Sequence, residues 1–185
     1  MNSELTVLEK RTLSYLNFRN EAIEEQIEMV RKAIDEVRSI ARPAFAFRYF
    51  SLDDCPIDIN YSSLSELFSK NNSDSVAVLI STLGPAIDNR IDRLKESDPS
   101  RMILIDAAAN AYIEEVTNEY QKRLELKGQT FRFAPGYGDV PLSVQQSIFE
   151  NVPDVQRIGI TLDEGYLMHP FKSMTGIIGF MSKPD

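Results

Sequence analysis

Cysteine and histidine occur once each in this 185-residue chain, as Cys55 and His169. A lone thiol excludes a disulfide framework and a thiolate-rich zinc site, and a Cys–His nucleophile pair would need both single copies to meet in space. Basic residues are the minority, 20 Lys and Arg against 28 Asp and Glu, which leaves a net charge of -8. That balance argues against nucleic acid as a partner, because affinity for a phosphate backbone comes from clustered cations, and no basic stripe interleaved with aromatics occurs. No run approaches the roughly 18 consecutive apolar residues of a membrane span. The N-terminal stretch MNSELTVLEKRTL carries charges where a signal peptide has its apolar segment. The expectation is a cytoplasmic protein with no membrane partner.

What is present, 43% hydrophobic and 26% charged residues, is the composition of a globular protein. The length suits one domain, 1–185, able to bury roughly two-thirds of the surface of its unfolded chain. Within it, residues 1–42 read as a helical N-terminal part and 43–185 as a sheet-bearing core. From Asn20 to Ala41, apolar residues Ile23, Ile27, Val30, Ile34, Val37 and Ala41 recur at spacings of four and three, the stripe of an amphipathic helix. Asn20 is its expected N-cap, with Glu21, Glu24 and Glu25 in the first turn. Pro43 ends it. AFAFRYF, from Ala44 to Phe50, alternates as a half-buried strand does, and Val76 to Thr82 is a continuous apolar run suited to a central strand. Between them SSLSELFSK predicts a short helix capped by Ser62 or Ser63.

Gly84 and Pro85 turn the chain into a helix with the stripe Ile87, Ile91 and Leu94. A longer helix follows, capped near Asp98 or Ser100 and ended by Gly128; its Ala107, Ala108, Ala109 and Ala111 allow close approach of another element. A short helix is predicted from Ser143. Two or three strands then lie between Arg157 and Ser182, with turns at Asp163 to Gly165 and around Pro170. Strands and helices are interspersed without strict alternation, so the fold class is α+β with a largely antiparallel sheet and flanking helices.

Four stretches bear on chemistry. STLGPAID places glycine at a helix start but matches neither G-x-G-x-x-G nor a P-loop, and reads as a strand-to-helix turn. His169 becomes a base only if a carboxylate meets it, and Asp163 and Glu164 sit in a turn. The fourth, RFAPGYGDVPL, is richer in turn formers than a helix or strand tolerates. Arg132 offers a planar fork for a carboxylate, Gly136 and Gly138 permit conformations that expose amides, and Tyr137 presents a flat ring with a polar tip. Pro135 and Pro141 stiffen the ends. Composition alone leaves open a structural turn and a site for a small zwitterionic ligand with an aromatic base.

Arg132-Phe133-Ala134-Pro135-Gly136-Tyr137 matches R-x-x-x-G-Y, and the pattern P-G-Y-x-x-x-P continues through Pro141. Together with GITLDEGYLMHPFKSMTG downstream, and STLGPAID and LIDAAANAYIEEV upstream, it resembles the activation, or reactivation, domain of cobalamin-dependent methionine synthase in a stand-alone form. The resemblance spans roughly Val76 to Gly179. It implies a curved antiparallel sheet and S-adenosylmethionine held by Arg132, Ala134, Pro135, Gly136, Tyr137 and Gly138, with no catalytic residue and no metal ligand on this chain. It further implies reductive methylation of cob(II)alamin on a separate cobalamin-binding methionine synthase or corrinoid protein, with a flavodoxin-like electron donor. The hard chemistry would belong to the cofactors and the orientation to the protein. The chain lacks an Asp-x-His-x-x-Gly motif, so cobalamin is expected only through a partner, and it is shorter than the domain of the long enzyme. A β-branched residue at Gly138 is expected to harm transfer more than folding. The alternative is a small-molecule-sensing or structural interaction module of the same fold.

Overall fold

The computed structural model describes residues 5–18 and 23–182. Its helices are α1 (Val7–Tyr15), α2 (Glu24–Ile40), α3 (Ser62–Lys70), α4 (Pro85–Ser97), α5 (Pro99–Arg123), α6 (Val144–Asn151) and α7 (Asp154–Arg157). The strands are β1 (Ala44–Ser51), β2 (Ser75–Thr82), β3 (Thr161–Leu162), β4 (Met168–His169) and β5 (Ser173–Phe180). The order β1-β2-β5 makes a three-stranded sheet and β3-β4 a small hairpin, and every ladder among the described residues is antiparallel. The α+β class holds.

β2 is central because its sequence can be buried on both faces. All eight of its residues are buried, with Ser75 opposite Ser51 on one side and Phe180 on the other. The two-residue period of a strand sorts them. Val76, Val78 and Ile80 join Leu64, Phe68, Val144 and Ile148 on the α3–α6 side, whereas Ala77 and Leu79 meet Ile178, Phe180 and Tyr120 on the α5 side. On that second face Ser81 Oγ and Thr117 Oγ1 share a hydrogen bond of 2.7 Å, and Thr117 also donates to the Ile113 carbonyl. A buried polar pair thus ties α5 to the sheet with both hydroxyls partnered.

A third cluster assembles α1, α2 and α4 around α5. The stripe of α2 is buried from Val30 to Ala41, with Ile27 partly buried, whereas Ile23 is exposed and occupies the N-cap position. The cap assigned to Asn20, and Glu21 with it, lies outside the described residues. Ala107, Ala108, Ala109 and Ala111 are all buried, as close packing on α5 requires. α1 starts on a capping box, Thr6 with Glu9. Asp98 caps α5 through the Arg101 amide.

Two boundaries differ from expectation. α5 stops at Arg123 and not at Gly128, because Glu125 takes the left-handed conformation (φ 49°) and reverses the chain first; Gly128 (φ 59°) turns it again. Residues 130–133 then return beside β5: Thr130 donates to Gly179, while Phe133 and Ile177 exchange both backbone hydrogen bonds. This irregular fourth strand carries the first half of the glycine-proline loop into the sheet and determines where its side chains point.

Candidate functional site

Alternation along 130–133 sends Phe133 into the α3–α6 core and Arg132 to the opposite face, toward α5. The Arg132 stem crosses β5 directly over Gly176. A Cβ placed on Gly176 would lie 1.8 Å from Arg132 Cγ and 2.2 Å from Cδ, so the path exists only because that residue is glycine. Beyond it, Nη1 donates to Gln121 Oε1 at 2.6 Å and Nη2 to Asn118 Oδ1 at 3.0 Å. Burial pulls the guanidinium below its ordinary pKa, with Glu114 and Arg11 acting through space in opposite senses.

Glu114, Asn118 and Gln121 recur at i, i+4 and i+7, which aligns them on one face of α5. Glu114 pairs with Arg11 at 3.2 Å and accepts from the Tyr15 hydroxyl, so α1 closes the upper end of this face. Burial, then that hydrogen bond, push the Tyr15 phenol up to about 12, and Tyr137 lies near enough to add to the shift. At the lower end Asn118, Gln121, Lys122, Gln129, Phe131 and Arg132 enclose an open pocket of about 420 Å³. Phe131 is exposed and contributes an apolar wall.

The other predicted ligand-binding residues sit apart from this pocket. Ala134 to Val140 fold into a tight turn in which Gly136 N–H donates to Val140, Tyr137 N–H to Ala134 and Val140 N–H to Tyr137. Gly136 and Gly138 were expected to leave amides exposed, but the Gly136 amide, like that of Tyr137, is used within the loop. Gly136 and Gly138 do take positive φ, 94° and 57°. Tyr137 projects outward, 70% exposed. Tyr137 lies near Tyr15 of α1, whereas Arg132 turns to Asn118 and Gln121; Pro135, Gly136 and Gly138 belong to the turn that follows Arg132.

The turn also serves α3. Asp139 accepts from the amides of Ser62 at 2.7 Å and Ser63 at 3.2 Å, so it caps α3 from across the molecule in place of the local Ser62 or Ser63. The Ser63 hydroxyl and these amides hold its carboxyl below the usual range. A depressed carboxyl contributes stability above its unfolded pKa of about 3.9, and that contribution is lost as pH falls through the lower folded value. Asp139→Asn is therefore expected to make the acid limb of a melting temperature against pH curve shallower between pH 5 and pH 2, about the range over which such groups titrate. An unchanged limb would show that the cap contributes nothing.

The remaining sequence candidates are structural. His169 Nε2 meets Asp163 Oδ2 at 3.1 Å, but Asp163 also accepts from Gly165 and Leu167 and so organises the β3–β4 turn. The Leu167 amide first, then His169, and more weakly the Gly165 amide hold the Asp163 carboxyl low. Gly84 (φ 80°) opens α4 as a strand-to-helix turn, its amide bound to the Thr82 hydroxyl. Cys55 packs against the α3–α6 core, and burial pushes its thiol up. Among the described residues no group of three or more His, Cys, Asp or Glu could hold a metal, and no helix is long and apolar enough to cross a membrane. Asn118, Gln121 and Gly176 were not singled out from sequence. A glycine inside a strand is the one signal among them, since it marks a close approach.

The antiparallel sheet with its irregular edge beside the long helix has a solved counterpart. The chain superposes on the crystal structure of the MetH reactivation domain bound to AdoHcy with a TM-score of 0.64, over 95% of this chain and 75% of that one. The fold is that of the MetH reactivation domain. Sequence identity to the MetH reactivation domain is 17%, and no protein-family model and no curated protein matches the chain. The likeness to the MetH domain therefore concerns architecture, and the site must be argued from this chain's own residues.

Proposed function

We propose that the protein binds S-adenosylmethionine with its carboxylate at Arg132, and that it supports reductive methylation of cob(II)alamin on a separate cobalamin-dependent methionine synthase or related corrinoid protein. The observation that carries this reading is a partly buried guanidinium, held only by neutral amides, at an open pocket in a fold shared with an AdoHcy-bound domain. The residues lining the pocket suit the ligand's parts: a cationic fork for the carboxylate, amide groups of Asn118, Gln121 and Gln129 for its polar atoms, and the Phe131 ring for an aromatic base.

Bound S-adenosylmethionine would supply an electrophilic methyl group, which with one electron from a flavodoxin-like donor converts cob(II)alamin to methylcobalamin and leaves S-adenosylhomocysteine. This chain's contribution is binding and orientation. Arg132 anchors one end of the ligand through a fork whose direction is set by Asn118, Gln121 and Gly176. The exposed Tyr137 turn faces outward, where a second chain would approach. No acid or base is required of either.

A second reading, a structural or sensing module, draws on one observation: the Gly136 and Tyr137 amides close on the loop itself and Asp139 caps α3. Two measurements separate the readings. Ligand at 100 times its dissociation constant stabilises the native state by about 2.7 kcal/mol, which for a chain of this size raises the melting temperature by roughly 5–10 °C. A flat melting temperature up to millimolar S-adenosylmethionine would remove the binding claim. Reductive methylation on a partner synthase fragment with an electron donor, run with and without this protein, tests the rest; equal rates with every corrinoid partner would leave the sensing or structural module.

A further inference from the structure

Arg132 differs from most of the ion-paired arginines of this protein in being partly buried and held by neutral side-chain amides. Arg11, Arg31, Arg38, Arg90, Arg101 and Arg157 each pair with a carboxylate. Arg132 forms no ion pair among the described residues, although it is the more enclosed group; its acceptors are the side-chain carbonyls of Asn118 and Gln121. Gln121 is itself oriented, because its Nε2 donates to Gln129 Oε1 at 2.8 Å and so turns Oε1 toward the guanidinium. Glu114, one turn away on the same helix face, is engaged by Arg11 and Tyr15.

An amide carbonyl accepts a guanidinium hydrogen bond without cancelling its charge, whereas a carboxylate at the same place would form a charge-assisted pair and neutralise it. The positive charge is thus held in a set direction and left available. Partial burial of the guanidinium strengthens the field of that charge, and Lys122 adds a second cation to the lining. Each terminal nitrogen of Arg132 keeps a second hydrogen beyond the one donated to α5.

We propose that the Asn118–Gln121–Arg132 pocket is a subsite selective for a carboxylate, and that Asn118 and Gln121 are the positioning residues that create this selectivity by orienting Arg132 without neutralising it. This deepens the reading above and rests on it for the identity of the ligand, though not for the charge the subsite selects. The two amides have a specific consequence: their near-isosteric acids keep the oxygens that accept from Arg132 but should close the subsite by neutralising it, Gln121→Glu giving up in addition only the donor to Gln129.

The test uses the full chain and the variants Asn118→Asp and Gln121→Glu, each first shown to melt cooperatively. Calorimetric titration with S-adenosylhomocysteine should show a loss of affinity of about tenfold or more in each variant, the scale of a lost hydrogen bond to a charged group. 5'-Methylthioadenosine, which lacks the carboxylate, should show no such loss. Independently, acetate should move the Arg132 guanidinium nitrogen signals in the NMR spectrum of the parent and leave them in place in both variants. Parent-like affinity for S-adenosylhomocysteine in the variants, equal loss for both nucleosides, or a parent Arg132 signal indifferent to acetate would each overturn the proposal. If the parent ignores S-adenosylhomocysteine while acetate moves Arg132 only in the parent, the carboxylate subsite stands and the S-adenosylmethionine reading falls.

Discussion

Gly176→Ala is expected to displace Arg132 from its pocket and to abolish ligand binding there. The added methyl would sit 1.8 Å from Cγ and 2.2 Å from Cδ of Arg132, in the middle of a stem and not at its free end. The far end is fixed by Asn118 and Gln121 and the near end by the backbone pairing of Phe133 with Ile177, so the stem has nowhere to move without breaking one of these. Overpacking of this kind costs about 1–3 kcal/mol of stability. Arg132→Ala should weaken ligand binding by about 2 kcal/mol or more through loss of a charge-assisted pair, with Arg132→Lys recovering only part because an ammonium lacks the planar fork. Combining the two gives the decisive comparison. In an Arg132→Ala background the obstructing stem is gone, so Gly176→Ala should cost little further stability, and a double-mutant cycle should return a large coupling. Independent, additive effects would mean that Arg132 does not lie across Gly176.

Gly138→Val is expected to destabilise the fold itself, in contrast to the sequence-based expectation that transfer would suffer more than folding. Gly138 has φ 57°, a region that costs an L-residue roughly 1–2 kcal/mol and a β-branched one more. A Cβ there would also come within 2.8 Å of Ser63 Oγ and 3.4 Å of Phe133 Cζ. Relief would push the loop away from α3, which would weaken the Asp139 cap on Ser62 and Ser63. Strain and contact together should remove about 2–4 kcal/mol. For a protein of this size that is a fall in melting temperature of roughly 5–15 °C. A variant that melts like the parent yet fails in the methylation assay would restore the original expectation and show that the loop acts mainly on a partner.

Much of the architecture is legible along the chain because the forces that build it are local or periodic. The buried run from Val76 to Thr82, the stripe of α2 and the Gly84-Pro85 helix start each depend on residues within a few positions, and each stands where the pattern puts it, save that the stripe starts at Ile27 and leaves Ile23 exposed. Arg132 was also legible as a candidate, from its place at the head of the glycine-proline loop. Its partners were not. Asn118 and Gln121 belong to a different element, and they meet Arg132 only because Glu125 and Gly128 turn the chain back so that 130–133 pairs with β5 beneath α5. Gly176 approaches from still another part of the chain, and Asp139 reaches an α3 cap 76 residues away. The residue types and their helical or extended state follow from the linear pattern, since backbone hydrogen bonding and apolar periodicity act over short separations. Which side chains surround the guanidinium, and whether they neutralise it, follows only from the packing of α5 against the sheet edge, because electrostatic partners are chosen by distance in space and burial.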